Sequence, residues 1–410
     1  MRKGYLSSYF TGAAAKRLSP VETDPSRSNQ HEFNGVARLR QLFGDSPGKQ
    51  VLPARFIYLR DSGGKPVTAE GSVTWYDARA RSVERTGRSE HRLYFPATPV
   101  SRHASAGDLL LLARRPDGRV LVMVAKAGST IAGQLLWLFG IEDDGLEGFS
   151  VRSGLDAPGD RLGYAARIIL GQVGIESGEL EENRLDEMLA RFRGGFPPTR
   201  EFSAYARATL PDVHPADGAD GTLLAWLERE EILFRTLERE LVRRKLETGV
   251  AERDVDGYLS YSLSVLNRRK SRAGSALENH LEQIFLERGI RFDRSPVTEN
   301  RSRPDFLFPG AAEYRDPAFD ATRLAMLAAK STCKDRWRQV LSEAERIPKK
   351  HLMTVEPAIS EAQTGEMRSR QLQLVVPAPL LGSFTSSQRN WLMTLEGFIG
   401  LVDHRQRMGS

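Results

Sequence analysis

The sequence predicts a multidomain protein, a β-rich N-terminal domain followed by an α/β domain. Short apolar runs broken by turn residues dominate the N-terminal part, helical spacing takes over from about Asp160, and a Gly/Pro/Asp-rich stretch follows at 194–221. With 410 residues and 40% hydrophobic content, the chain has room for two or three cores.

The N-terminal strands are read from "ARFIYLR" (54–60), "DLLLLARR" (108–115) and "RVLVMVAKA" (119–127). "DSGGKP" (61–66) and "RPDGR" (115–119) are turn signals typical of hairpins. "RARSVERTGRSEHRLYF" (79–95) is dense in arginine and predicts an exposed basic hairpin or arm. "RLGYAARIIL" and "ELEENRLDEMLARFR" have helical spacing. "GGFPPTREFSAYARATLPDVHPADGADG" (194–221) suits a domain boundary. After it, "LLAWLEREEILFRTLERELVRRKLE" (223–247) repeats apolar residues three and four apart and predicts a long amphipathic helix. The expected domains are 1–172 and 201–410, joined by a linker at 173–200.

Charge and cysteine content narrow the function classes. Lys and Arg number 59 against 53 Asp and Glu, a net charge of +6 that leans toward an anionic partner. The single cysteine, Cys333, excludes an internal disulfide and a multi-cysteine zinc site. "MRKGYLSSYFTGAAAKRLS" lacks the apolar core of a signal peptide, and no apolar run reaches membrane-spanning length. The expectation is a soluble cytoplasmic protein with no membrane partner.

Three segments hold the candidate chemistry. "NRRKSRAGSALENHLEQIFLERG" (267–289) sets a basic cluster before a helix with Leu277, Leu281, Ile284 and Phe285 on one face, and Gly289 is placed to end it. "RPDFLFPG" (303–310) puts Asp305 before a short apolar strand. "LAMLAAKSTCKDRWRQVLSEAER" (324–346) is an apolar strand running into Lys330 and then a predicted helix. A carboxylate opening one strand and a lysine ending the next suit metal-dependent phosphodiester cleavage. Such sites usually carry a second carboxylate two residues before the lysine, where this chain has Ala328. On the predicted helix Arg336, Val340, Glu343 and Ile347 form one stripe, so Glu343 faces inward. A metal shared with Asp305 would explain an inward glutamate, as would an ion pair with a nearby Arg or Lys. Asp305 alone also reads as a turn residue after proline. Cys333, between Lys330 and Lys334, is either a nucleophile or an incidental packing residue.

Together "NRRKSRAGSALE", "RPDFLFPGAAEY" and "KSTCKDRWRQVLSEAE" resemble the catalytic-domain motifs of the EcoRII family of type II restriction endonucleases, in the same order and at similar spacing. The resemblance is strongest from Asn267 to Pro379 and extends more weakly over most of the chain. It implies a restriction-endonuclease-like, PD-(D/E)XK-type catalytic domain whose second metal-binding carboxylate has moved to a helix. Asp305 and Glu343 would bind Mg²⁺, Lys330 would be the catalytic lysine, and Tyr314 and Lys334 match further active-site positions. Glu278 matches an acidic position on the first helix of related enzymes, while Ser275-x-x-Glu278 also reads as a capping box.

The resemblance further implies double-stranded DNA as substrate, recognised at a CC-x-GG-like site related to CCWGG. Arg268, Arg269, Lys270 and Arg272 are candidates for DNA contact, with Asp335, Arg336 and Arg338 beside them. The N-terminal half resembles the family's effector domain, a DNA-binding pseudobarrel with two arms. "AKRLS" (15–19), with Lys16, leading to His31 resembles the first arm. "RTGRSEHR" (85–92) resembles the second, with Arg88, Glu90, His91 and Arg92 as reading residues. His31 and His91 also read as ordinary surface histidines. A lysine of the family near Thr86 is missing, and His91 replaces another.

The leading expectation is a Mg²⁺-dependent, sequence-specific endonuclease with a second, autoinhibitory DNA site, acting as a homodimer on two-fold symmetric DNA. Rival expectations are a catalytically inactive DNA-binding regulator and a thiol-dependent enzyme using Cys333.

Overall fold

Two apolar strand runs, 109–114 and 120–125, form the middle of the first of two units. A computed structural model describes residues 4–23, 31–33, 36–45, 48–61, 66–80, 89–144, 146–176, 178, 181–247, 255–333 and 336–408. One unit comprises Met1–Leu162, Ala166–Ile175 and Ala358–Ala362, and the other Gly163–Ala165, Glu176–Pro357 and Gln363–Ser410.

Among the described residues, the first unit holds an eight-stranded sheet. Its strands are β1 (Gly12–Arg17), β2 (Glu32–Phe33), β3 (Gln50–Leu59), β4 (Val67–Asp77), β5 (His91–Tyr94), β6 (Leu109–Arg114), β7 (Val120–Ala125) and β8 (Ser150–Ser153). The order is β2-β5-β4-β3-β7-β6-β1-β8, antiparallel throughout except where β3 meets β7. The "RPDGR" turn joins β6 to β7, with Gly118 at φ 84° and the Arg119 N–H donating to Asp117 Oδ1 at 3.0 Å.

Alternation along each strand feeds two cores. Leu109, Leu111 and Ala113 pack with Met123 and with Ile131, Leu135 and Phe139 of the Thr130–Phe139 helix. Leu110 and Leu112 point the other way, toward Phe33, Phe56, Trp75 and Phe95. Strands covered on both faces have no polar side to show, so their sequences read as unbroken apolar runs.

The described ends of both expected arms lie in strands. Residues 15–17 belong to β1 and pair with β6 along their whole length, with Ala15 also paired to β8, and a strand held in a sheet does not project as an arm. Lys16 is 2% exposed, with Nζ 2.8 Å from Glu22 Oε1. In the second expected arm, 81–88, including Arg88, lie outside the described residues. His91 and Arg92 belong to β5, between β2 and β4. The His91 ring stacks on Trp75 at 4.8 Å, so it is a packed rather than a surface histidine.

Among the described residues, the second unit combines helices with a five-stranded sheet. Residues 173–200, expected as a linker, contain the Leu185–Arg191 helix, whose Met188 packs with Phe192, Phe202, Tyr205 and Phe234. The expected boundary stretch holds the Thr199–Ala208 helix. The long amphipathic helix runs Ala219–Glu247, and a second long helix runs Val255–Glu287. Ser275 is therefore interior to a helix of 33 residues, where no orphan N–H groups need a cap, and the capping-box reading of Glu278 fails. Gly289 follows this helix at φ 68°, as expected of a terminating glycine.

The sheet contains β9 (Asp293–Arg294), β10 (Phe306–Phe308), β11 (Ala325–Ala329), β12 (Lys350–Met353) and β13 (Leu372–Val375), in the order β13-β12-β11-β10-β9. β11, β12 and β13 run parallel, and β10 is antiparallel to both its neighbours. Leu277, Leu281, Ile284 and Phe285 are fully buried, and the Phe285 ring meets Phe306 and Phe308 edge-on at 5.2 and 5.3 Å. This packing seats the helix against the strand that follows Asp305.

Candidate active site

The pairing of β10 with β11 sets Phe306 opposite Leu327, which brings Asp305 beside the end of β11. Asp305 Oδ2 accepts the Ala329 N–H at 2.7 Å and lies 2.7 Å from Lys330 Nζ. The Lys330 N–H donates to the Met353 carbonyl at 2.9 Å, so β12 fixes the lysine's backbone. The pair sits at the carboxyl end of a parallel strand, the end where open α/β sheets present their sites. Ala328 is fully buried, and its methyl leaves Asp305 as the carboxylate at that strand end.

Glu343 reaches the same electrostatic neighbourhood by a different route from the one expected. After Lys330 the described α-helix spans only Trp337–Val340. The chain then turns, with the Glu343 N–H donating to the Val340 carbonyl at 3.1 Å and Ala344 at φ 49°. A residue in the left-handed region ends a helix, so the predicted stripe from Arg336 to Ile347 does not exist. Burial of Trp337, Val340, Ala344 and Ile347 draws the turn inward instead. The Glu343 carboxyl is pushed up to about 7, chiefly by burial; Lys330 opposes the shift and Asp305 adds to it. Its Oε2 is buried with no hydrogen-bond partner among the described residues.

Glu278 belongs to this field. Its carboxylate lies 3.0 Å from Arg294 Nη2, and its pKa is raised by burial and then by Asp305, against the pull of Arg294 and Lys330. Arg294 also binds Glu282 at 2.7 Å and the Asn279 side chain at 2.9 Å, and so ties the long helix to β9. Sequence reasoning missed Arg294. A signal was available, because Ile290, Phe292 and Arg294 alternate inward while Arg291 and Asp293 are exposed.

Tyr314 lies in the Ala311–Arg315 helix and is 3% exposed. Its hydroxyl is 2.6 and 2.8 Å from the two Glu299 oxygens and accepts the Arg346 N–H at 3.2 Å. Burial and Glu299 raise its pKa. The Arg346 guanidinium grips the Tyr314 carbonyl and the carbonyls of Asp316 and Phe319 at 3.0 and 3.1 Å. These contacts pin the chain three residues beyond Glu343. Lys334 and Asp335 lie outside the described residues.

Cys333 is fully buried and its thiol is pushed up by burial. Its backbone N–H donates to Glu356 Oε2 at 2.6 Å, and its thiol hydrogen-bonds the Thr354 side chain. Both features argue against a nucleophilic role.

The basic cluster divides by partner. Lys270 is exposed. Arg269 is held by Glu238 at 2.7 Å and Glu176 at 3.1 Å. Arg272 is 5% exposed, bound to Glu230 at 2.9 Å and to Glu231, so contact with DNA requires breaking a buried ion network. Arg268 lies over the Phe196 ring at 3.9 Å and Arg272 over Phe234 at 4.0 Å, beside a cavity of about 370 Å³. Arg336 is exposed near Thr332, and Arg338 is exposed and 2.8 Å from Glu366. In the first unit, Arg92 bridges Glu32 and Glu90 at 3.2 and 2.8 Å, and Arg79 also holds Glu90. His31, at φ 42°, meets Phe95 edge-on at 5.8 Å.

Among the described residues no three His, Cys, Asp or Glu side chains cluster as a ready-made metal cage. Asp305 and Glu343 nevertheless fit a hard divalent cation. Both offer carboxylate oxygens, and the buried, unpartnered Oε2 of Glu343 is an oxygen that a cation would satisfy.

Residues 234–399 match the family described as the EcoRII C terminal. Over 393 residues the chain is 49% identical to the type II restriction enzyme EcoRII of Escherichia coli, spanning 94% of this chain and 92% of that protein. It is 29% identical over 110 residues to the type II restriction enzyme SsoII of Shigella sonnei, covering 24% of this chain and 35% of that one. Among solved structures, metal-depleted Ecl18kI in complex with uncleaved, modified DNA aligns with TM-score 0.46 and 19% identity, over 57% of this chain and 87% of that chain. A PspGI–substrate DNA complex aligns with TM-score 0.42 and 14% identity, over 52% and 94%.

Proposed function

The chain belongs to the EcoRII family of type II restriction endonucleases, and on that premise we propose that it cuts both strands of DNA with Mg²⁺ at a CC-x-GG-like site related to CCWGG. It is a type II site-specific endonuclease of a restriction-modification system. The observation that carries the proposed chemistry is the 2.7 Å pair of Asp305 and Lys330, electrostatically coupled to the half-buried Glu343 carboxyl.

Asp305 and Glu343 would hold the ion, with Glu278 as a further acidic group. When bound, the ion supplies positive charge to the scissile phosphate and makes a nearby water more acidic. Lys330 keeps one N–H on Asp305 and has two more to offer a phosphate oxygen or the attacking water. The Ala329 N–H holds the Asp305 carboxylate in one orientation, so the lysine and the metal-binding oxygens stay in fixed relation. Tyr314 acts at one remove in this reading, holding the turn that carries Glu343. Lys334 is retained as a second catalytic lysine by its place in the motif.

For DNA contact, Lys270 and Arg336 are exposed as they stand, Arg338 is exposed but paired with Glu366, and Arg268, Arg269 and Arg272 would exchange their present partners. The first unit, built on its eight-stranded sheet, is the proposed effector pseudobarrel, with Arg92, Glu90 and His31 as its accessible reading residues and Lys16 and His91 as packed supports. Residues 1–172 would restrain the catalytic domain, 201–410, until DNA occupies the effector site. The active form is a homodimer with one active site per strand.

Digestion of plasmids carrying one or two sites tests this. Discrete, Mg²⁺-dependent fragments that vanish with Asp305→Ala support the nuclease assignment, and faster cleavage of the two-site plasmid supports an effector site. Equal rates on both plasmids, with or without added site-containing duplex, would remove the effector role. Sequencing the fragment ends reveals the recognition site and the cut position.

A further inference from the structure

Arg294, at the end of the edge strand β9, and Ser295 just after it each hold one acidic residue of the site. The Ser295 N–H donates to the Asp305 carbonyl at 3.0 Å. Arg294, paired in register with Phe306, instead sends its guanidinium to the Val255–Glu287 helix. There Nη2 donates to Glu278 Oε2 at 3.0 Å, while Nη1 donates to Glu282 Oε2 at 2.7 Å and to Asn279 Oδ1 at 2.9 Å. One planar fork therefore spans a full turn of the helix, from Glu278 to Glu282.

The partners of the fork are themselves held. The Asn279 side chain donates to Ser203 Oγ at 3.0 Å, and Glu282 also pairs with Arg200, both on the Thr199–Ala208 helix. A guanidinium with its acceptors fixed in this way has one orientation, and Glu278 takes its own from it. Glu278 in turn sits in the field of Asp305 and Lys330.

Like charges gathered at a site need a cation among them. In sites with two divalent ions, the metals supply that charge. Here a guanidinium already bridges Glu278 and Glu282, and it stays protonated at every working pH. A second ion would have to displace it from both carboxylates.

We propose that Arg294 is a positioning residue of the active site, holding Glu278 beside Asp305 and supplying the positive charge that a second divalent cation would otherwise bring. The inference deepens the reading of Asp305 and Glu343 as the ligands of one ion, and rests on it.

Titration of the full-length protein with Mn²⁺, without DNA, is the primary measurement, the free ion being counted by its electron paramagnetic resonance signal. The wild type is expected to bind one ion per chain, and so is Arg294→Lys, which keeps the charge. Arg294→Met is expected to bind two, because Glu278 and Glu282 lose their shared cation. Arg294→Gln should do the same and serves if the apolar variant does not fold. Adding Glu278→Gln to either neutral variant should remove the second ion. In cleavage assays with Mg²⁺, the folded neutral variants are expected to lose about 10–100-fold in kcat with little change in KM, and Arg294→Lys to recover part of it. Two ions on the wild type or on Arg294→Lys, one ion on both neutral variants, or an unchanged kcat in them would each overturn the inference. Asp305→Ala tests the underlying reading separately. If the wild type binds no Mn²⁺, or if Asp305→Ala keeps the ion, the metal-site reading fails and the inference falls with it.

Discussion

Lys330 Nζ lies 2.7 Å from Asp305 Oδ2, across two antiparallel strands and 25 residues apart in sequence. The same aspartate oxygen accepts the Ala329 N–H, so one carboxylate joins the two strand ends and orients the lysine. Neither contact needs a ligand to exist, and the site is organised before DNA arrives.

Removing either member should abolish chemistry while sparing the fold. Asp305→Ala and Lys330→Ala are each expected to lower single-turnover cleavage by about 10³-fold or more, the scale of losing electrostatic stabilisation or a principal catalytic group. Gel-shift assays in Ca²⁺ should show Lys330→Ala still binding its site. Cleavage within tenfold of wild type by Lys330→Ala would remove the lysine from the mechanism.

Glu343 makes the site pH-dependent. Its folded pKa, about 7, lies above the unfolded value, so the metal-free protein favours the protonated form. The associated stability is complete below about pH 4.5 and is lost as pH rises from there to about 7. A cation must displace that proton, so apparent Mg²⁺ affinity should fall about tenfold per pH unit below pH 7. Calorimetric titration with Mg²⁺ at pH 6, 7 and 8 would check this. Glu343→Gln should bind the ion more weakly and lose the slope.

Arg272 and Arg338 separate structure from DNA contact. Arg272 is buried on Glu230 and Glu231, and Arg272→Ala removes the cation they share, leaving Glu230 with His280 and Glu231 with Arg235. The expected cost is about 3–5 kcal/mol in urea denaturation. Arg338 pairs with Glu366 at the surface, so Arg338→Ala should cost less than about 1 kcal/mol. If Arg338 meets DNA, that variant should instead weaken site binding and flatten its salt dependence.

Tyr314→Phe keeps the ring and removes the hydroxyl shared by Glu299 and Arg346. We expect a loss of about 1–3 kcal/mol, with reduced kcat and little change in KM. A positioning role through the Glu343 turn predicts partial recovery at high Mg²⁺. A variant with unchanged kcat would make the tyrosine purely architectural.

Cys333→Ala should cleave like the wild type, and the native protein should resist alkylation until denatured, because the thiol is buried and held neutral. Rapid labelling of the native chain by iodoacetamide would contradict that burial.

Much of this site is legible in one dimension. "RPDFLF" announces an aspartate before a strand, "LAMLAAK" a strand ending at a lysine, and Gly289 the end of a helix, because apolar period and terminating residues are local properties. The unbroken runs in β6 and β7 likewise follow from burial on both faces. Glu343 enters through its motif, but the helix stripe that would turn it inward cannot anticipate Ala344 in the left-handed region.

What the sequence by itself determined is the order of the elements and the residues at their ends. What only the tertiary structure decided is which charges meet. Lys16 reads as an arm residue and is buried on Glu22; Arg272 reads as a DNA contact and is buried on Glu230; Glu278 reads as a cap and faces Asp305 beside Arg294. The physical reason is common to all three. An apolar residue announces burial by its own chemistry, whereas a charged residue is buried only where folding supplies a partner, and several of those partners lie far away along the chain.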